Sequence, residues 1–255
     1  MRPVFVDCHS HVVPSGDDGV GTVAEGAVLC REAAKRGTGI LYATPHVWPH
    51  LPLTAAREKR IREDFAELVS KADLDVRLGF ELTPAPPLLR EDLRRYVLDD
   101  SGCVLIEVPF AGSAELLWAV AGEAERQGLR VVIAHPERTE AVMSDERLAD
   151  ELGERFLLQV NATSLLGRHG PTAQAIGWRL LEEGRAALVA SDGHRLARPP
   201  FLDDAYELAA TRIGDEAAAP FFDGSALRLK RAANETSTGR RAALGGTMRR
   251  PRSRP

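Results

Sequence analysis

The sequence predicts an α/β fold of parallel strands closed into a seven-stranded barrel. Three observations carry that expectation. Short runs rich in β-branched residues alternate with helical segments about seven times. Every run is followed, at its C-terminal end, by a residue able to bind a metal or hydrogen-bond a ligand. No Pro/Ser-rich linker divides the chain before its last stretch. Seven repeats in one chain suit a closed barrel better than an open sheet, and 255 residues suffice for one large domain with a deep core.

The first strand is read at Val4–Cys8 (VFVDC) and ends in His9 and His11. A helix over Thr22–Arg36 follows, with Thr22 and Glu25 in capping-box spacing and Gly37 as its stop. The second strand, Gly39–Ala43, ends in Thr44 and His46, and the charged, amphipathic Thr54–Ala72 is its helix. Asp75–Phe80 ends in Glu81 and Cys103–Ile106 in Glu107. Ser113–Gln127 begins with a hydroxyl residue and stops at Gly128, so it reads as a helix. Arg130–Ala134 ends in His135 and Phe156–Val160 in Asn161. The helix Thr172–Glu183 stops at Gly184, and the last strand, Ala187–Ala190, ends in Asp192 and His194. A parallel barrel brings all these ends to one rim, where such folds keep their active sites. A single histidine at a strand end is more often a satisfied structural group. A run of strands that all end this way is not explained so.

Composition narrows the function classes. The net charge of −4 argues against a surface devoted to nucleic acid. Three scattered cysteines, Cys8, Cys30 and Cys103, make no disulfide framework and point to a reducing compartment. No apolar run has the length to span a bilayer, and Asp7, His9 and His11 interrupt any signal-peptide core. A cytoplasmic location is therefore expected.

Side chains at i and i+2 of a strand share a face. His9 and His11 are thus expected to point one way and Cys8 and Ser10 the other, toward the helices; Asp192 and His194 would pair likewise if the last strand stays extended. Imidazoles and carboxylates with no cysteine suit Mn, Fe or Zn rather than Ca or an iron–sulfur cluster. Open coordination positions would make such a centre hydrolytic.

The stretches DCHSHVVPSGDDG, ATPH, GFEL, VLIEVPF, AHPER, VNATSLLGRHG and ASDGH followed by RPP run from residue 7 to about residue 202. In them the chain resembles the polymerase-and-histidinol-phosphatase (PHP) superfamily, and within it the bacterial capsule-type, manganese-dependent protein-tyrosine phosphatases. The resemblance implies a distorted seven-stranded (β/α) barrel of the PHP type over residues 1–229, and three divalent metal ions, Mn2+ first and Fe or Zn next. It implies that His9, His11, Glu81 and Asp192 hold one metal. Glu81 would bridge to a second, held also by Glu107 and His135, while Asp18, His46 and His194 hold the third. Arg138 and Arg198 would face the phosphate. The implied substrate is a phosphotyrosine protein, with a bacterial tyrosine kinase of polysaccharide synthesis as the opposing partner.

Charge supports the implied centre. Asp18, Glu81, Glu107 and Asp192 carry four negative charges and three divalent ions six positive ones, leaving a surplus that matches a phosphate monoester dianion. A phenolate leaves more readily than an alkoxide, and no spare general acid is evident, which favours an aryl over an alkyl phosphate. The runner-up is a PHP phosphatase acting on a small alkyl phosphate such as histidinol phosphate. A silent metal-binding barrel would be expected to have lost ligands, and here every implied position holds a competent residue.

Some features are set aside. Cys30 to Arg36 satisfies the C-x5-R spacing of cysteine-based phosphatases, but it falls inside an expected helix without glycine, where backbone N–H groups are not free to cradle an anion. Trp48 either stacks on a substrate ring or covers apolar surface. His50 and His169 receive no role. Residues 230–255, basic and poor in large apolar side chains, are expected to be a disordered tail. Oligomeric state is not legible.

Overall fold

Every pairing between named strands is parallel, in two sheets, with orders β1-β2-β4 and β3-β5-β6-β7-β8-β9. The structure is a computed structural model that describes residues 2–110 and 113–229; the basic segment 230–255 lies outside the described residues. In chain order the elements are β1 (Phe5–Ser10), α1 (Val23–Lys35), β2 (Thr38–Ala43), β3 (His46–Val47), α2 (Ala55–Val69), β4 (Asp75–Leu78) and β5 (Glu81–Leu82). There follow β6 (Cys103–Glu107), α3 (Glu115–Arg126), β7 (Arg130–Ala134), α4 (Glu140–Ser144), α5 (Arg147–Arg155) and β8 (Leu157–Asn161). The chain continues with α6 (Ala162–Leu165), α7 (Pro171–Glu182), β9 (Ala186–Ala190), α8 (Asp203–Ile213) and α9 (Asp215–Phe222).

The α/β alternation with parallel strands is as expected; the strand count is not. Nine strands in two sheets replace seven, because two extended segments are interrupted. Between β2 and β3 lie Thr44 and Pro45, and a proline has no N–H for a ladder. Between β4 and β5 lie Gly79 and Phe80, where a Cβ on Gly79 would sit 2.4 Å from Leu98 Cδ2. Hydrogen bonds cross the breaks: Gly79 N donates to Ala43 O (2.9 Å) and Glu81 N to Pro45 O (3.2 Å). On the far side of β1, Asp192 N donates to His9 O (2.9 Å) and His11 N to Gly193 O (2.6 Å), so the first strand touches the segment that follows the last.

Two apolar clusters divide the strand faces. The larger gathers Leu41, Val104, Ile106, Ile133 and Val160 with the helices; the smaller gathers Val6, Tyr42, Leu105, Val132, Leu188 and Ala190 on the opposite face. Cys8 belongs to the smaller cluster, so it packs with inner strand residues and not toward the helices as expected. The cause is local: pairing of β1 with β2 shifts register between Asp7 and Ser10, and strict alternation is lost there.

α1 starts where the sequence placed it. Thr22 caps it by accepting from Glu25 N (3.2 Å), while the Glu25 carboxylate accepts from Gly21 N (3.1 Å), one residue ahead of the usual capping-box partner. α8 and α9 were not anticipated; they press Tyr206 and Phe222 against Phe5, with ring centroids 5.3 and 6.0 Å away.

Gly26, inside α1, decides how closely that helix lies on the loop after β1: a Cβ there would be 2.1 Å from Val12 O. Helix propensity alone favours Gly26→Ala by about 1 kcal/mol. We expect the opposite sign, a loss of about 1–3 kcal/mol from overpacking, measured by urea denaturation. A stabilised Gly26→Ala variant would contradict the close approach.

Candidate metal centre

Glu81 is fully buried, and its carboxylate lies among four imidazoles. Oε2 is 3.0 Å from His9 Nε2, 3.3 Å from His11 Nε2 and 3.0 Å from His46 Nδ1, while Oε1 is 3.0 Å from His135 Nε2. β1 supplies His9, the residue after it His11, the start of β3 His46, and the residue after β7 His135. Asp192 completes the inner group, with Oδ1 3.5 Å from His9 Nε2 and 3.4 Å from His11 Nε2. Burial alone would raise the pKa of Glu81 and Asp192, but the surrounding imidazoles hold both carboxyls well below their usual range.

The tautomer of His9 follows from a chain of amides. Asp192 Oδ2 accepts from Asn161 Nδ2 (2.9 Å), Asn161 Oδ1 from Gln159 Nε2 (2.8 Å), and Gln159 Oε1 faces His9 Nδ1 (2.9 Å). A carboxylate only accepts, so each amide in turn is oriented and His9 must carry its proton on Nδ1. Nε2 then faces Glu81 Oε2, and His11 Nε2 lies 3.2 Å from it. Burial opposes a charged ring, yet the carboxylates raise the proton affinity of His9 and His11, so positive charge, either a second ring proton or a metal cation, belongs between these atoms. The residues therefore fit a metal. Three overlapping triads, His9–His11–Asp192, His9–Glu81–His135 and His11–His46–His194, each have ligand atoms within 4.8 Å of one another.

The remaining expected residues converge on the same place. Asp18 Oδ1 lies 3.2 Å from His194 Nε2 and 3.5 Å from His46 Nε2. Asp192 and His194 arrive together although the strand is not extended there: Asp192 has φ +51°, and His194 Nδ1 donates to its carbonyl (2.8 Å). His135 is also left-handed, with φ +35°. Both conformations cost energy for residues with a Cβ and occur here where the chain must turn a side chain into the site. Glu107 accepts from Thr83 Oγ1, and burial together with neighbouring Glu81 pushes its carboxyl up to about 8. Arg138 donates to Asp192 Oδ2 (2.5 Å), and Arg198 Nη2 lies 2.6 Å from His194 Nε2. A cavity of about 220 Å³ is walled by Asp18, His46, Glu107, His135, Asp192, His194 and both arginines, with Trp48 and Phe110 added.

The sequence pointed to Asn161 as a strand-end residue but not to the other supports. Gln159 stands two residues before Asn161 at the end of β8, the same spacing that flagged His9 and His11, so the signal was present. Asp17 accepts from His46 N (2.9 Å) and faces His11 Nδ1 at 3.7 Å. Arg57 of α2, almost wholly buried, donates to the carbonyls of Ser15, His46 and Leu51, each at 2.9 Å, and ties three rim segments together. Phe110, 48% exposed, lies parallel to His135 with Arg138 over its ring. His169 Nδ1 is 2.9 Å from Ser164 Oγ, which donates to buried Glu137. The Trp48 ring stacks on His46 (4.4 Å) and on His50 (5.2 Å). Cys30 is buried in α1, and burial pushes its thiol up to about 12, which disposes of the C-x5-R spacing.

The family model described as "Capsular polysaccharide synthesis, CpsB/CapC" matches residues 5–229. The tyrosine-protein phosphatase YwqE of Bacillus subtilis is 28% identical over 234 residues, covering 89% of this chain and 92% of that protein. The putative tyrosine-protein phosphatase CapC of Staphylococcus aureus is 26% identical over 207 residues, covering 78% and 80%. A crystal structure reported with YwqE from Bacillus subtilis and CpsB from Streptococcus pneumoniae, described as unique metal-dependent tyrosine phosphatases, superposes with a TM-score of 0.74. It is 26% identical and covers 84% of this chain and 89% of that one.

Gln159→Leu keeps the volume of the side chain but removes the acceptor from His9 and the donor to Asn161. Divalent-metal affinity is expected to fall about 10- to 100-fold, read by calorimetric titration with Mn2+, with the circular dichroism spectrum unchanged. Unaltered affinity would mean that the amide chain does not orient His9.

Proposed function

Because this chain belongs to the capsular polysaccharide synthesis CpsB/CapC family, we propose that it is a metal-dependent phosphomonoesterase acting on phosphotyrosine in proteins. One observation carries the reading: of the four imidazoles that ring a buried carboxylate, His46 and His135 line the same cavity as two arginines. That pairing suits an anionic ester held against cations. In this reading three divalent ions, Mn2+ first, are bound. His9, His11, Glu81 and Asp192 would hold one; Glu81, Glu107 and His135 a second; Asp18, His46 and His194 the third. Bound there, such ions supply Lewis acidity toward phosphoryl oxygens and a water acidified to near neutral pH.

The chain's own groups do the rest. Arg138 and Arg198 present fork-shaped donors suited to paired equatorial oxygens, where charge accumulates as the ester bond breaks. Asp192 and the stacked Phe110 hold Arg138 in position. Phe110 and Trp48 line the same cavity, and Phe110 offers half its surface to a phenyl ring. These apolar walls favour an aryl ester over histidinol phosphate, the alternative substrate.

The seven-strand reading belongs here also: if each interrupted pair, β2 with β3 and β4 with β5, is counted as one strand, seven remain, and the bonds across both seams favour closure. Residues 1–229 would then form the catalytic domain. A cytoplasmic setting and an opposing tyrosine kinase complete the proposal; among the described residues no helix is long and apolar enough to cross a membrane.

Three outcomes are expected. EDTA abolishes turnover of a phosphotyrosine peptide and Mn2+ restores it best, while Glu81→Ala is among the most damaging substitutions; full activity in a metal-free preparation would overturn metal dependence. Arg138→Lys loses about 10²-fold or more in rate, because an ammonium cannot reproduce the paired contact, yet keeps its metal; loss of metal or of the fold would make Arg138 structural. Phosphotyrosine peptides are turned over with higher kcat/KM than histidinol phosphate, and Trp48→Ala narrows that margin. A tenfold advantage for histidinol phosphate would install the alternative.

A further inference from the structure

Trp48 lines two spaces: the metal cavity and a separate groove of about 120 Å³, walled also by Pro52, Leu53, Ala85, Pro87 and Leu88. The two spaces are also linked through Thr83, which lines the groove and donates its hydroxyl to Glu107. Leu53, Ala85 and Leu88 are buried walls, whereas Pro52 and Pro87 stand exposed at the lips.

Charge says what the groove would accept. Its one carboxylate, Glu91, accepts from the hydroxyl of Tyr96 and has Arg95 Nη1 at 3.6 Å, so no unpaired charge calls for a basic occupant. Apart from Thr54 and Thr83 the other walls are aliphatic, proline and aromatic, and the volume suits a single side chain more than a length of backbone. A crevice with these walls, sharing a side chain with a catalytic cavity, is where a substrate buries apolar surface next to the reacting group.

We propose that the groove beside Trp48 is a specificity subsite, which takes an apolar side chain flanking the phosphotyrosine of the substrate protein. The proposal rests on the phosphotyrosine reading. A peptide stretched over the rim places alternate side chains on the same side, about 7 Å apart. With the phosphotyrosine ring at Trp48, a neighbouring aliphatic residue comes down in the groove. Selection among phosphotyrosine proteins then comes from this neighbour, since the cavity itself reads only the phosphate and the ring.

The test is a panel of phosphotyrosine heptapeptides in which Leu or Asp replaces Ala at each flanking position in turn, with kcat/KM measured for the Mn2+-loaded enzyme. One position is expected to prefer Leu over Asp by about tenfold or more. Pro87→Asp and Pro52→Asp, both at exposed positions, should each reduce that preference to about twofold or less while leaving turnover of p-nitrophenyl phosphate unchanged. A flat panel with good turnover overturns the subsite and leaves the phosphatase reading standing. No turnover of any phosphotyrosine peptide overturns both. A wild-type dimer that Pro87→Asp dissociates would mean that a second copy covers the groove, which also overturns the proposal.

Discussion

One constraint organises this molecule: a buried carboxylate faces imidazole lone pairs and cannot stay so without positive charge nearby. Glu81 and Asp192 sit with His9, His11, His46 and His135, all of them buried. The surrounding structure keeps those lone pairs inward. Gln159 and Asn161 set one ring by hydrogen bonds that run back to Asp192, so the same carboxylate faces the site and fixes the orientation of a neighbour. The left-handed turns at His135 and Asp192 are strain tolerated to the same end.

Much of this was legible because strand ends are written in the chain as apolar runs followed by polar residues. The positions of β6, β7 and β9 and the residues after them needed only that rule. The breaks in the sheet were harder. Thr44–Pro45 carries a proline signal, whereas the close approach of Leu98 that leaves no room for a Cβ at Gly79 is a long-range contact no local pattern reveals. Cys8 was assigned to the wrong face because alternation was assumed across a register shift. Arg57 looked like one more charge on an exposed helix; its burial comes from three carbonyls brought to it by distant loops. Phe110 follows a strand as a lone aromatic and acquires meaning only when His135 and Arg138 are seen beside it.

The rim divides its labour. Arginines, imidazoles and carboxylates line the cavity together with two aromatic rings, Trp48 and Phe110. His11, His46 and Trp48 form a stacked series with centroids 4.3 and 4.4 Å apart, so the indole is braced by the residues it borders. Arg57 fastens the loop bearing Asp17 and Asp18 to the segment bearing His46 and Trp48. The carboxylates of one loop and the imidazole and indole of the other segment are thereby fastened to a single edge.

The contact between the first strand and the segment after the last also orders events in time. Asp7 accepts from Ser191 N across 184 residues of sequence. At ordinary rates of translation, roughly 10–40 s separate the emergence of the two. Throughout that interval the nascent chain has His9 and His11 but neither Asp192 nor His194, and the triads that depend on them do not exist. The complete cluster therefore closes only late in synthesis, whereas His9, Glu81 and His135 have all emerged before its last two side chains.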